Sequence, residues 1–100
     1  MRIIARNTII KFAERHPDAR SALAHWYRVA KAANWETSQQ VQFSFSKCRP
    51  LNAERVRFGI HGGNYRMIVA FDYRRGIAFI KFIGTHAEYK NIDALTVSQF

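Results

Sequence analysis

Three stretches alternate strictly between apolar and polar positions, and two turn signals separate them. Val56, Phe58 and Ile60 alternate with Arg55, Arg57, Gly59 and His61, the pattern of a half-buried strand. Gly62-Gly63 follows, and glycine takes positive φ without steric penalty, so this dipeptide predicts a hairpin. Tyr65, Met67, Val69 and Phe71 repeat the alternation on a second strand. Arg74-Arg75-Gly76 turns the chain again, into a third strand carrying Ala78, Ile80 and Phe82.

With Gly62-Gly63 as the first loop, His61 faces Asn64, Gly59 faces Arg66 and Arg57 faces Ile68. With Arg74-Arg75 as the second, Ile68 faces Lys81 and Arg66 faces Ile83. Paired residues share a side of the sheet. One face therefore holds Val56, Phe58, Ile60, Tyr65, Met67, Val69, Phe71, Ala78, Ile80 and Phe82. The other mixes Ile68, Ala70, Phe79 and Ile83 with a basic cluster of Arg57, His61, Arg66 and Lys81. A slip of one residue in either turn would misalign these pairs.

The first half of the chain has helical spacing. Arg2–Ala5 suits a short strand, and Asn7 is placed to cap a helix over Thr8–Arg15 that turns Ile9, Phe12 and Ala13 inward. His16-Pro17 breaks that helix. Pro17 opens a second one reaching about Ala33, with Leu23, Trp26, Tyr27 and Ala30 on its core stripe. Thr37 and Gln40 have capping-box spacing for a short helix toward Phe45, and Ser46–Glu54 is expected to be a loop. Thr85 and Glu88 repeat the capping-box spacing, so a last short helix should begin at His86 with Tyr89 one turn on. Ile92 and Leu95 in the tail can pack back. The expected fold is α+β. A three-stranded antiparallel meander plus a short N-terminal strand carries the N-terminal helices on one face, in one domain over residues 1–100.

Composition narrows the function. Apolar residues make up 48% of the chain, which argues for a packed core and against disorder. The net charge of +9 on a domain this small points to a polyanion or a strongly acidic protein as partner. No apolar run approaches the roughly 20 residues of a membrane span. The N-terminal MRIIARNTII is too short and charged for a signal peptide, so a cytoplasmic protein is expected. Cys48 is the single cysteine, which leaves no internal disulfide.

The chemistry is narrowed by the motifs that are missing: no Gly-rich phosphate loop, no HExxH, no CxxC and no spaced metal ligands. What remains is Arg66, Lys81, His86 and Tyr89, expected to converge at one end of the sheet. That set suits metal-free and cofactor-free RNA cleavage. A base takes the 2′-hydroxyl proton, the oxygen attacks the adjacent phosphate, and an acid protonates the departing 5′-oxygen. Arg66 and Lys81 would stabilise charge on the phosphate oxygens. His86 serves as base or acid, with Tyr89 orienting or stacking. Arg57 and His61 on the same face, and Lys47 and Arg49 in the preceding loop, would hold the RNA. Two other readings compete: a noncatalytic RNA- or ribosome-binding module, and a regulator that binds an acidic protein.

Several segments carry a family resemblance: MRIIARNTIIKFAERHPDARSALAHWYRVAKAANW, ERVRFGI, NYRMIV and IAFIKFIGTHAEYKNID. The chain resembles, over nearly its whole length, the HigB toxins of type II toxin–antitoxin systems, within the RelE-like superfamily of mRNA interferases. GTHAEY is the most specific mark, and the Pro-Asp followed by Trp-Tyr is a second. The resemblance implies a toxin that cleaves mRNA on the translating ribosome and is neutralised by a HigA-like helix-turn-helix antitoxin. It matches Arg66 to the arginine of a tyrosine-arginine pair and His86 to a catalytic histidine, with Lys81 at a commonly basic position. Lys90 departs from the pattern, standing where an aspartate is more usual, and adds a cation to the RNA-binding set. The lysine often found before the tyrosine-arginine pair is absent.

Overall fold

The computed structural model describes residues 1–100. A five-stranded mixed sheet, whose three central strands come from the second half of the chain, carries helices on one face. The elements are β1 (Arg2–Ile4), α1 (Arg6–Arg15), a 3₁₀ turn (Pro17–Ala19), α2 (Arg20–Ala32), α3 (Ser38–Ser44), β2 (Cys48–Pro50), β3 (Arg55–Ile60), β4 (Tyr65–Asp72), β5 (Ile77–Thr85) and α4 (His86–Tyr89). Strand order is β1-β5-β4-β3-β2, with β1 parallel to β5 and all other pairs antiparallel.

The α+β class and the meander are as expected, but the sheet has one strand more. Cys48–Pro50, expected within a loop, pairs with β3 through Cys48↔Phe58, Arg49↔Arg57 and Pro50↔Val56. Proline tolerates only a sheet edge, and this strand is an edge. Helix starts differ too. Asn7 lies inside α1, which begins directly after β1 at Arg6, and the Thr8 hydroxyl donates to the Ala5 carbonyl at 2.7 Å. The Thr37 cap of α3 forms as expected, its side chain accepting from the Gln40 amide at 3.3 Å.

The first hairpin keeps its expected register, with Gly59↔Arg66 and Arg57↔Ile68. The second keeps its register only as far as Val69↔Ile80. A bulge at Lys81 then moves Ile68 opposite Phe82 and Arg66 opposite Gly84, not Lys81 and Ile83. One extra residue flips every side chain beyond it. Phe82 thus crosses to the face away from the helices, and Ile83 joins the helix-side core. Two consecutive large apolar side chains are buried on opposite faces as a result, at 2% and 3% exposure.

The helix-side core is aromatic. Trp26 packs edge-on against Phe58 at 5.5 Å, Phe12 against Tyr65 at 5.4 Å, and Trp35 against Phe71 at 5.7 Å. Of the expected α2 stripe, Leu23, Trp26 and Ala30 are buried and Tyr27 is half-buried, and burying each large side chain is worth about 1.5–3 kcal/mol. The other face is only partly open. Arg55 Nη1 donates to the carbonyls of Ala94 and Val97 at 3.1 and 2.8 Å. The Gln99 amide donates to Lys81 O at 2.8 Å, and its side-chain oxygen accepts from Ile83 N at 3.0 Å. The C-terminal segment is thereby tied to β3 and β5, Ile68 is fully buried, and Leu95 stays half exposed. The end of the face around Arg57, Gly59 and Arg66 remains free.

Candidate nucleic-acid interface

That free end is a cleft of about 940 Å³. Two cross-strand rows build its floor. Arg49 and Arg57 stand side by side on β2 and β3, with Ile68 next. Gly59, Arg66 and Gly84 form the second row, which Lys47 extends because its carbonyl accepts from the Gly59 amide at 2.8 Å. Lys47, Arg49, Arg57 and Arg66 all line the cleft, and no carboxylate does. Four like charges without counter-charge raise the local concentration of anions.

His86 enters from the end of β5. Thr85 and Glu88 close a complete capping box around the first turn of α4. Thr85 N donates to Glu88 Oε1 at 2.8 Å, and Glu88 N donates to Thr85 Oγ1 at 3.1 Å. The first of these bonds holds the Glu88 carboxyl below the usual carboxylate range, and burial opposes it. The His86 amide donates to Asn64 O at 3.0 Å, so α4 is fastened to the β3–β4 turn. The His86 side chain is exposed at the cleft wall.

Arg66 sits in a glycine cradle. Its Nη1 donates to Gly63 O at 3.0 Å, and its buried Nε has no protein partner. Added Cβ atoms on Gly63 and Gly59 would lie 2.8 and 3.4 Å from Nη1. His61, Gly62 and Gly63 all have positive φ, so the turn is a tight left-handed run of three residues.

The structure separates the residues that the sequence expected to converge. Arg66 and His86 share the cleft, together with Arg57, Lys47 and Arg49. Tyr89 lies beside it, under the Arg57 guanidinium at 5.8 Å and against Phe82 at 6.2 Å. Lys81 is elsewhere. As the bulge residue it places its ammonium over Phe79 at 5.5 Å, in a depression shared with Glu54 and Asp72. His61 is turned to the helical side, 3.8 Å from Asp18 and stacked at 6.4 Å on Tyr65. Lys90 is exposed just past α4 and outside the cleft lining.

Asp18 has a role that its sequence position did not reveal. Its Oδ1 accepts from the Tyr65 hydroxyl at 2.6 Å, which pins the start of β4 to the 3₁₀ turn. That hydrogen bond, then burial, pushes the Tyr65 phenol up from its ordinary value. Cys48 is half-buried with its thiol pushed up by burial, and nowhere do three His, Cys, Asp or Glu side chains cluster. No helix is long and apolar enough to cross a membrane.

A helical layer on one face and a carboxylate-free cationic cleft on the other define the class: a small α+β domain whose open face attracts anions. The sequence profile of the HigB toxin family, the RelE-like toxic component of a toxin–antitoxin system, matches residues 19–92. The chain belongs to that family and is a toxin of such a system. The match runs from the 3₁₀ turn into the segment after α4, leaving β1, α1 and most of the tail outside, a shorter span than the near-complete resemblance expected. No curated protein matches the chain.

Proposed function

We propose that this toxin is an endoribonuclease that cuts mRNA on the translating ribosome. The observation that carries the reading is the cleft, in which His86 and the cradled Arg66 stand among three further cations with no carboxylate lining the walls. RNA supplies the negative charge, and its 2′-hydroxyl supplies the nucleophile.

His86 takes the 2′-hydroxyl proton or delivers a proton to the leaving 5′-oxygen. As the new O–P bond forms, the P–O bond to the 5′-oxygen breaks, leaving a 2′,3′-cyclic phosphate and a 5′-hydroxyl. Arg66 stabilises charge growing on the phosphate oxygens, and such preorganised donors are worth about 10²–10³ in rate. Lys47, Arg49 and Arg57 hold the flanking phosphates, a role first expected of His61 as well, and the charge-stabilising role expected of Arg66 and Lys81 together rests in this reading on Arg66. Tyr89 braces Arg57 and offers a ring for stacking. The cleft lining offers no carboxylate to hold a divalent cation, and His86 and Cys48 are its one imidazole and one thiol. The partner that neutralises the toxin is a HigA-like helix-turn-helix antitoxin, and the setting is the cytoplasm.

One observation favours a noncatalytic RNA- or ribosome-binding module: His86 is the only imidazole lining the cleft, and Tyr89 stands outside it. Expression in growing cells separates the two. The nuclease arrests growth, and His86→Ala or Arg66→Ala relieves the arrest. Relief by neither variant, with both folded, would remove these residues from the chemistry.

A further inference from the structure

On the helical layer, α1 and α2 leave a groove of about 410 Å³ that shares no residue with the cleft. Ile9 and Leu23 are buried beneath it, and Ile10 stands beside them 44% exposed. Arg6, Arg20 and Arg28 surround it, against Glu14 as the one acidic neighbour. None of these arginines is ion-paired, because the chain's two ion pairs are His61–Asp18 and Arg75–Asp72.

We propose that this groove docks an acidic amphipathic helix of the cognate antitoxin, on the layer opposite the RNA cleft. The inference rests on the antitoxin partnership proposed above and not on the nuclease step. A concave apolar bed between two helices accepts a helix's apolar row at i, i+3, i+4 and i+7. Unpaired arginines around such a bed select carboxylates, which they bind in bidentate geometry. Arg6 is already ordered, its guanidinium stacked 4.9 Å above the Tyr27 ring.

RNA fits this groove poorly. Its one aromatic ring, Tyr27, is already engaged by the Arg6 guanidinium and by the Lys31 ammonium at 5.7 Å, and a single ring is no platform for successive bases. A membrane fits poorly too, since bilayers take protruding apolar faces and this one is recessed.

The test uses the full-length toxin, titrated with its full-length cognate antitoxin. Ile10→Glu and the double variant Arg20→Glu/Arg28→Glu both change exposed positions, and thermal melts confirm that each is folded. Each is expected to bind the antitoxin at least tenfold more weakly, while growth arrest by the toxin alone is unchanged and the antitoxin no longer relieves it. Hydrogen exchange in the complex should slow at residues 6–28. Binding within twofold of wild type for both variants would overturn the proposal. So would protection confined to residues 61–64 and 86–89, or protection of the groove by an RNA oligonucleotide or anionic vesicles but not by the antitoxin. Because binding is read directly, a toxin that proves not to cleave RNA leaves this result standing.

Discussion

Arg66 Nη1 donates to the carbonyl of Gly63 at 3.0 Å, and a Cβ on Gly63 would stand 2.8 Å from that same nitrogen. The turn thus both holds the guanidinium and depends on having no side chain there. Gly62 next door is a built-in control. It has φ +67 against +96 for Gly63, and a Cβ on it would meet nothing within 4 Å. Alanine at either site incurs the left-handed penalty of about 1–2 kcal/mol. Only Gly63→Ala also displaces Arg66. We expect Gly63→Ala to lower RNA cleavage by about 10²-fold, the scale of a misplaced catalytic group. Gly62→Ala should cost a comparable amount of stability and leave cleavage within a few-fold. Paired melts and single-turnover assays check this.

The cleft cations separate from Lys81 by salt dependence. Lys47→Ala/Arg49→Ala should weaken RNA binding and lower the slope of log affinity against log salt by about 1 for each phosphate no longer neutralised. Lys81→Ala should leave that slope unchanged, because its ammonium lies over Phe79 away from the cleft. Filter binding at several salt concentrations reads both.

Glu88 ties His86 to pH. Its folded carboxyl lies below the ordinary value of 4.5, mainly through the bond from Thr85 N. A depressed carboxyl contributes stability that is full above the unfolded value and lost as pH falls through the folded one. The turn carrying His86 should therefore loosen below about pH 4.5. Glu88→Ala should loosen it at neutral pH, by about 0.5–1 kcal/mol, whereas Glu88→Gln keeps the cap and removes the acid limb. Amide exchange at residues 86–91 is the readout.

Tyr73 sets an alkaline limit. Burial is the larger cause raising its phenol from 10.0 to about 12, with the Cys48 charge second. A raised acid contributes stability that is full below the unfolded value and lost as pH climbs through the folded one, here between 10.0 and about 12. Its hydroxyl is also buried without a protein partner. Tyr73→Phe should raise neutral-pH stability by up to about 1 kcal/mol and flatten this limb of the profile. Denaturant melts from about pH 8 to about 12, on both sides of the ordinary tyrosine pKa, test it.

Much of this architecture is written in period and punctuation. Alternation around Gly62-Gly63 placed Gly59 opposite Arg66, and the Thr85/Glu88 spacing located the turn that presents His86. Short-range signals serve where one face is buried and one residue of slip would be costly. The Lys81 bulge escaped them, because Phe82-Ile83 are both apolar and either can face the core. β2 escaped too: three residues ending in proline carry too little alternation to separate an edge strand from a loop. Its hint was Cys48 and Pro50 flanking Arg49. Recognising it would have moved Lys47 and Arg49 from loose loop cations to the cleft floor. The Asp18–Tyr65 bond joins residues 47 positions apart and left no local trace.

The most direct test of the nuclease reading is primer extension on a reporter mRNA in a translating extract, with wild-type toxin and with His86→Ala. New 5′ ends that require both translation and His86 are expected. Equal cleavage by wild type and variant would contradict the role given to His86, and an intact mRNA beside folded, ribosome-bound toxin would contradict the nuclease itself.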